Sequence, residues 1–349
     1  MEKPFNVSNR GQPVTRISHV LARVHTDYGL EGVGYAFTLN DWRLRPIKAM
    51  VDDIAGLVVG ENPFAVEKIW QKLYTQSKFI GPTGLVTYAI AVLDIAMWDI
   101  MGKATGQPVY RLLGGDRAEV PVYASGLWRS MSLEELSGEA RAFVEEGFTD
   151  IKMKVGGERV AANEVERVRV VREALGPEAK LMIDANQAWT PKQTVRMVRL
   201  LEPYDIAWLE DPLPAEDIEG MAWIASVIDV PMAIGEYHFT QLDLRRLLEA
   251  GATDIAIIDL QRAGDITEAR KMASLAGAWH KPVASHVNPE INCHPMAAFP
   301  NALITEYMPW SFGLLEEPPV VKAGKIVLPQ KPGLGFELDA EAIARYQMD

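Results

Sequence analysis

One cysteine, Cys293, stands in a chain of 349 residues, so no intrachain disulfide can form. Cys293 reads as a small buried apolar residue rather than a reactive thiol, and a reducing cytoplasm is the expected compartment. Positive charge is also in deficit. Lys and Arg number 35 against 47 Asp and Glu, a net of −12, which argues against a nucleic-acid or anionic-membrane surface. No long apolar run is free of charge: Leu85 to Met101 is broken by Asp94 and Asp99, so it reads as a buried helix and not a membrane span. The first residues, Met-Glu-Lys-Pro-Phe-Asn, lack the basic-then-apolar pattern of a signal peptide. Gly81-Pro-Thr-Gly84 is too short and wrongly placed for a phosphate loop, leaving a nucleotide-binding reading little support.

What is present is a large apolar share, 48%, enough for one large barrel and a smaller unit. Residues 14 to 38 carry two β-rich runs, Thr15–Val24 and Gly32–Phe37, around the turn signal Thr26-Asp27-Tyr28-Gly29. Helical spacing follows over 44–59, 64–77 and 83–104. After Gly114-Gly115 strand and helix alternate. Eight strands are predicted: Val120–Ser125, Asp150–Val155, Lys180–Ala185, Ala207–Glu210, Met232–Glu236, Ile255–Asp259, Pro282–His286 and Leu303–Glu306. Helical patterns such as Leu133–Glu146, Val160–Leu175 and Ile266–Trp279 separate them. The fold class is α/β, with a β/α barrel more economical than a doubly wound sheet. The expected division is an α+β capping domain over residues 1–112, a barrel over 113–309, and a segment over 310–349 that returns to the first domain.

Charged or polar side chains end these strands. From Lys154 the steps to Asp184, Glu210, Glu236, Asp259, His286 and Glu306 are 30, 26, 26, 23, 27 and 20 residues, each about one βα unit. In a closed barrel, strand ends converge on one rim. Asp184, Glu210 and Glu236 brought within about 4 Å would repel by roughly 4 kcal/mol per pair at an effective dielectric near 20, so they call for a cation. Read singly, each acid also fits a helix cap. As oxygen-only ligands they suit magnesium, with manganese acceptable and zinc disfavoured.

Lys152 and Lys154 leave one face of a strand, and an anionic substrate beside a dication would partner them. One would hold a carboxylate while the other, its pKa lowered by the metal and its neighbour, acts as a base. His286 and Asp259 end adjacent strands, close enough for the Asp to orient the imidazole as an acid or base. Glu306 is expected to stay protonated and donate a hydrogen bond to a developing oxyanion. His238, His280 and His294 are read as structural.

Lys152-Met-Lys154, Asp184-Ala-Asn186, Glu210-Asp-Pro212, Gly235-Glu236, Asp259, His286 and Glu306, in this order and spacing, resemble the enolase superfamily and within it the mandelate racemase subgroup. The helix around Leu93-Asp94-Ile95-Ala96-Met97-Trp98-Asp99 is similar to the first domain of that family. The resemblance implies a modified (β/α)7β barrel under an α+β cap, one Mg²⁺ per subunit and abstraction of a proton α to a carboxylate. It would make Asp184, Glu210 and Glu236 the metal ligands. Lys154 and the His286–Asp259 dyad would flank the α-carbon, with Lys152 and Glu306 on the carboxylate. Two departures stand out. At Glu2-Lys3-Pro4-Phe5 family members have usually completed a first strand, so the expectation is either a capping sheet short of one strand or a misassigned start. Leu260-Gln261-Arg262-Ala263-Gly264 lacks the usual Gly-Gly and puts Arg where some branches carry a lysine base.

The favoured reaction is loss of the β-hydroxyl from a sugar acid to give a 2-keto-3-deoxy acid. Racemisation or epimerisation of a 2-hydroxy acid through the same enolate is the alternative, and a non-catalytic metal-dependent carboxylate binder is the alternative of another class. Dehydration is preferred because Asn40, Asp41, Trp42, Arg43 and Arg45 in the capping loop, with Trp128 and Arg129 after the first barrel strand, offer groups for a polyhydroxy acid. Asn186, Trp42, Arg43, Trp128 and Arg129 are the candidate substrate contacts. The expected partner is a small-molecule carboxylate, with no nucleic acid or membrane, and the expected assembly is a homo-oligomer.

Overall fold

Two glycines in one strand decide how the N-terminal unit packs. In the computed structural model, which describes residues 4–6 and 12–348, β1 (Ile17–His25) and β2 (Glu31–Leu39) form an antiparallel hairpin. Helices α1 (Leu44–Ala55), α2 (Val66–Gln76), α3 (Leu85–Thr105) and α4 (Val109–Leu112) follow. The backbone of α3 lies directly on β2: a Cβ at Gly34 would sit 1.9 Å from the Val92 carbonyl oxygen, and one at Gly32 would sit 2.1 Å from that of Ala96. Only glycine permits that approach. The capping sheet has two strands among the described residues, and Phe5 adds an isolated bridge to Val14. Glu2 and Lys3 lie outside the described residues.

Helix α3 is long and apolar enough to cross a membrane by length and composition, yet 89% of its most apolar window is buried inside the protein. The two acids that interrupt its apolar run are its connectors. Asp94 accepts from the N–H and Oγ1 of Thr267 at 3.0 and 2.6 Å, and burial raises its pKa to about 7. Asp99 accepts from Val33 N–H at 3.0 Å and Leu334 N–H at 2.9 Å and pairs with Lys103 at 2.9 Å. The helix is thereby tied to β2, to a barrel helix and to the C-terminal segment.

The barrel alternates β3 (Glu119–Gly126), α5 (Leu133–Glu145), β4 (Asp150–Lys154), α6 (Ala161–Leu175), β5 (Lys180–Asp184), α7 (Pro191–Leu201), β6 (Ile206–Glu210), α8 (Ile218–Ala225), β7 (Met232–Ile234) and α9 (Gln241–Ala250). It continues through β8 (Ile255–Asp259), α10 (Leu260–Ala263), α11 (Ile266–Ala278), β9 (Val283–His286), α12 (Pro289–Ala298) and β10 (Ala302–Tyr307). Each strand is parallel to the next, and β10 pairs back to β3 with Glu306 opposite Tyr123, closing the barrel. All eight predicted strands are present, and seven are followed by a helix before the next strand, the expected (β/α)7β form. Tyr123, Met182, Trp208, Ala233, Ile255, Ile257, Ala284 and Ile304 fill the interior, while the opposite face of each strand packs on the helices. Each large apolar side chain so buried contributes about 1.5–3 kcal/mol.

Most barrel strands shift by one residue at an end from expectation, and one shifts by two. The strand predicted to reach Glu236 stops at Ile234, because Gly235 adopts φ +149° and a Cβ there would lie 2.1 Å from the Ile257 carbonyl oxygen. Glu236 thus projects from a turn beyond the strand end. The tail adds β11 (Val321–Lys322) and β12 (Lys325–Val327), the latter antiparallel to the start of β3, and then α13 (Ala340–Tyr346). Between them, Gly333 bridges to Pro108 at the foot of the N-terminal unit.

Candidate active site

Asp184 ends β5, Glu210 ends β6, and Glu236 follows the Gly235 turn after β7. One carboxylate oxygen from each lies within 4.8 Å of the other two, and all three residues are buried. Three anions this close without water must be compensated. Lys152, also buried, lies 2.6 Å from Glu210, 2.8 Å from Glu306 and 3.8 Å from Asp184, and Lys154 contacts Asp184. The balance is tense. Burial and the neighbouring acids push Glu210 well above the ordinary carboxylate range, although Lys152 pulls the other way. The donors are all hard oxygens on three adjacent strands, a set that suits a hard divalent cation such as Mg²⁺ or Mn²⁺.

Among these acids both lysines carry charge. The lowered pKa expected of one lysine depends on a bound metal and the neighbouring lysine. For Lys154, burial is the largest effect and acts in that direction, but Asp184, Glu236 and Glu210 together outweigh it and, with no ion between them, hold the ammonium above its ordinary value. Lys152 is held further up, by Glu210 and Glu306. Glu306 differs from expectation. Burial favours its neutral form, but Lys152 and His286 override this and hold its pKa at about 2, so it is ionised and accepts from Val287 N–H at 2.8 Å. It pairs with an ammonium where a protonated donor was expected. The two meet because β10 closes onto β3 beside β4.

His286 and Asp259 sit opposite one another on β9 and β8, with Nδ1 2.6 Å from Asp259 Oδ2. The other nitrogen, Nε2, lies 3.0 Å from Glu236 Oε2. Burial opposes a charged imidazole, but Glu236 and Asp259 raise its pKa to about 10. Asp259 is shared: its Oδ1 accepts from Arg262 N–H at 2.8 Å, and its Oδ2 accepts from the Arg262 guanidinium at 2.6 Å. Arg262 also stacks 4.9 Å above the Tyr237 ring. Its part in the dyad was missed in the sequence, although its place three residues after a strand-end Asp, on a one-turn helix capped by that Asp, is the signal for it.

A cavity of about 730 Å³ opens above these residues, and Lys154, Asn186, Glu236, Asp259, Arg262 and His286 all line it. Asn186 donates to Glu236 at 3.2 Å and to the Tyr237 hydroxyl at 2.7 Å, while its N–H donates to Asp184 at 2.7 Å. It therefore holds two of the acids in register. Of the other expected substrate contacts, Trp42, Arg43 and Trp128 line the cavity, and Arg129 does not. Arg129 is buried behind the rim and donates to the Ala185 carbonyl. Three more loop residues are elsewhere. Asn40 accepts from Thr15 and donates to the Pro13 carbonyl, Asp41 accepts from Arg16 and Ser18, and Arg45 is exposed. The remaining wall comes from residues not singled out in the sequence, among them Phe37, Tyr88, Tyr237, Phe239, Met308 and Trp310. Of the histidines read as structural, His294 bonds Tyr110 N–H and the Leu334 carbonyl, whereas His238 is buried with its pKa lowered by burial.

Residues 1–114 match the family model for the mandelate racemase / muconate lactonizing enzyme N-terminal domain, and residues 135–342 match the enolase C-terminal domain-like model. L-talarate/galactarate dehydratase of Salmonella typhimurium is 33% identical over 337 residues, 96% of this chain and 84% of that one. Its crystal structure with Mg and L-lyxarohydroxamate superposes with a TM-score of 0.94 at 32% identity, covering 100% of this chain and 90% of that chain. A 3,6-anhydro-alpha-L-galactonate cycloisomerase of Streptomyces coelicolor is 34% identical over 330 residues, 93% of this chain and 90% of the relative. A racemase structure from Streptomyces coelicolor with bound magnesium gives a TM-score of 0.94 at 32% identity, covering 99% of this chain and 96% of that chain. The buried acid triad, the two lysines and the Asp–His pair thus stand on a chain that belongs to the mandelate racemase / muconate lactonizing enzyme family of the enolase superfamily, and it is an enzyme of that superfamily.

Proposed function

We propose that this protein is a Mg²⁺-dependent hydro-lyase that takes the α-proton from a sugar-acid carboxylate and expels the β-hydroxyl to give a 2-keto-3-deoxy acid. The observation that carries this reading is the placement of Lys154 and His286 in one cavity, on β4 and β9, with the acid triad at the ends of β5, β6 and β7 on the arc between them. Asp184, Glu210 and Glu236 would hold the ion. Bound there, Mg²⁺ would engage the oxygens that now pair with the lysines and His286, and would stabilise negative charge on the substrate carboxylate.

The residues divide the work. Lys152, anchored by Glu306, neutralises the substrate carboxylate. Lys154 or His286, made neutral once the ion holds the carboxylates that now keep it charged, removes the proton, which of the two depending on the configuration at the α-carbon, and the electron pair left behind delocalises into the carboxylate. The protonated side chain then gives a proton to the departing β-hydroxyl, which leaves as water, and the enol becomes the keto acid. Asp259 and Arg262 keep Nδ1 of His286 engaged so that Nε2 faces the cavity. The same pair supports a second reading, racemisation, in which one residue takes the proton and the other returns one from the opposite side.

The test is a screen of mono- and diacid sugars with Mg²⁺ in D₂O, following keto-acid formation and α-deuteration. A dehydratase releases keto acid, and a racemase returns deuterated substrate of both configurations. Absence of exchange with every acid, from protein that binds Mg²⁺, would rule out both.

A further inference from the structure

His286 is followed by backbone that its residues would not choose. Val287 and Asn288 have φ of +47° and +43°, both in the left-handed region. Asn tolerates that region, but a β-branched residue such as Val stays there only when its surroundings hold it. Both residues are buried, and Pro289 opens α12 directly after them. The chain therefore turns through two left-handed residues between the end of β9 and a helix.

One side chain grips this turn. The Asn292 amide donates to the His286 carbonyl at 3.2 Å and to the Val287 carbonyl at 2.7 Å, so its two N–H groups serve consecutive peptide units. Its backbone N–H donates to the Asn288 carbonyl at 2.9 Å, closing the first turn of α12. The helix that carries Asn292 is itself fixed, by the Tyr35 hydroxyl on Glu290 and by the two bonds of the His294 ring. The amide thus ties the turn to rigid parts of the molecule. With the turn so held, the Val287 N–H reaches Glu306 Oε2, while Oε1 of the same residue faces Lys152 at 2.8 Å.

Asp259 sets the rotation of the imidazole through Nδ1, whereas the backbone that carries the ring is placed by β9 on one side and this turn on the other. We propose that Asn292 is a positioning residue for His286: by holding the Val287 peptide in its left-handed state, it keeps the imidazole aimed across the cavity at the α-carbon. This rests on the α-proton reading above and concerns the His286 side of the reaction. Without the amide, the His286 and Val287 carbonyls lose a buried donor and Val287 relaxes towards extended backbone. Lys154 stands on β4 against Asp184, away from the turn, and Lys152 keeps its contact with Glu306 Oε1. Loss of the clamp therefore falls on one base and spares the other.

The experiment uses the full-length, Mg²⁺-loaded protein and two pairs of acids that differ only at C2, D-gluconate with D-mannonate and D-galactonate with D-talonate. Removal of the α-proton is followed in D₂O as deuterium exchange plus keto-acid release. His286→Asn and Lys154→Ala first assign each epimer to its base. Asn292→Leu, similar in shape but without a donor, should lower kcat for the His286 epimer by about tenfold or more with KM little changed, and kcat for the Lys154 epimer by less than about threefold. Asn292→Ser keeps one donor, should fall between, and takes the place of the leucine variant if that one does not fold. A second readout needs neither acid nor metal. Hydrogen exchange of the Val287 amide in the metal-free protein should quicken by about tenfold or more in Asn292→Leu, while the amides of β5 keep their wild-type rates. Equal losses for the two epimers would reduce Asn292 to a support of the fold and overturn the proposal, as would an unchanged Val287 amide. An epimer set indifferent to His286→Asn would overturn it too. If the wild type moves the α-proton of none of the four acids, the α-proton reading fails for them, and the Val287 amide still decides whether Asn292 holds the turn.

Discussion

His294 provides a sharp test of how this fold is held together, because three separate stretches of chain meet at its ring. Nδ1 accepts from Tyr110 N–H at 3.2 Å on α4, Nε2–H donates to the Leu334 carbonyl at 3.0 Å in the tail, and the residue itself belongs to α12. That bonding pattern requires the neutral ring, and burial holds the pKa down, from 6.5 to about 4. The unfolded chain therefore takes up a proton below about pH 6.5 that the folded chain refuses until about pH 4. Stability from this residue is complete above pH 6.5, falls through that window and is fully lost below about pH 4. The total is about 3 kcal/mol at roughly 1.4 kcal/mol per pKa unit, of which about 2 kcal/mol is lost between pH 7.5 and 5.0. Urea unfolding of the wild type and of His294→Gln at both pH values isolates the effect, since every other titrating group is common to the two proteins. The variant starts less stable at pH 7.5 but should lose about 2 kcal/mol less on acidification. Equal acid losses in the two proteins would refute a neutral, buried His294.

Four further outcomes are expected. Gly235→Ala should cost about 3 kcal/mol and weaken Mg²⁺ at least tenfold by calorimetric titration, because the methyl meets the Ile257 carbonyl oxygen at 2.1 Å and displaces Glu236. Mg²⁺ at about 100 times its Kd should stabilise by about 2.7 kcal/mol, roughly 4 °C in Tm for a chain of this length, and the shift should vanish with EDTA. A Tm indifferent to Mg²⁺ would remove the metal from the site. Lys154→Ala and His286→Asn should each lower turnover by about two orders of magnitude or more, and near-normal rates in either would reassign that residue. Asp99→Ala, by stranding Val33 N–H, Leu334 N–H and Lys103, should cost about 3–5 kcal/mol in denaturant titrations, and a loss below 1 kcal/mol would contradict the role of Asp99 as the connector of α3.

The barrel was legible in the sequence because each strand is short, apolar and ended by a polar residue, and spacing alone counts such units. Bringing Asp184, Glu210 and Glu236 together needed only adjacent parallel strands. Protonation was not legible, because it depends on partners from distant stretches: Glu306 is ionised by Lys152, and Lys154 is held charged by Asp184. Loop polarity misled for a related reason. Asn40 and Asp41 turn back to brace the start of β1, and nothing in a run of polar letters says which way each side chain faces. The Glu236 strand end was misplaced by two residues because Gly235 looks like any strand glycine until the Ile257 carbonyl is set beside it.

The three acids stand at or just past the ends of consecutive strands, whereas Phe37 and Trp42 are supplied by the first 43 residues of the chain. On the proposed reading, the groups that would take the α-proton and part of the wall that would meet the rest of the substrate are thus encoded in different parts of the gene. If that reading holds, a directed-evolution library confined to positions 37 to 43 should keep a high fraction of clones that still bind Mg²⁺ and fold.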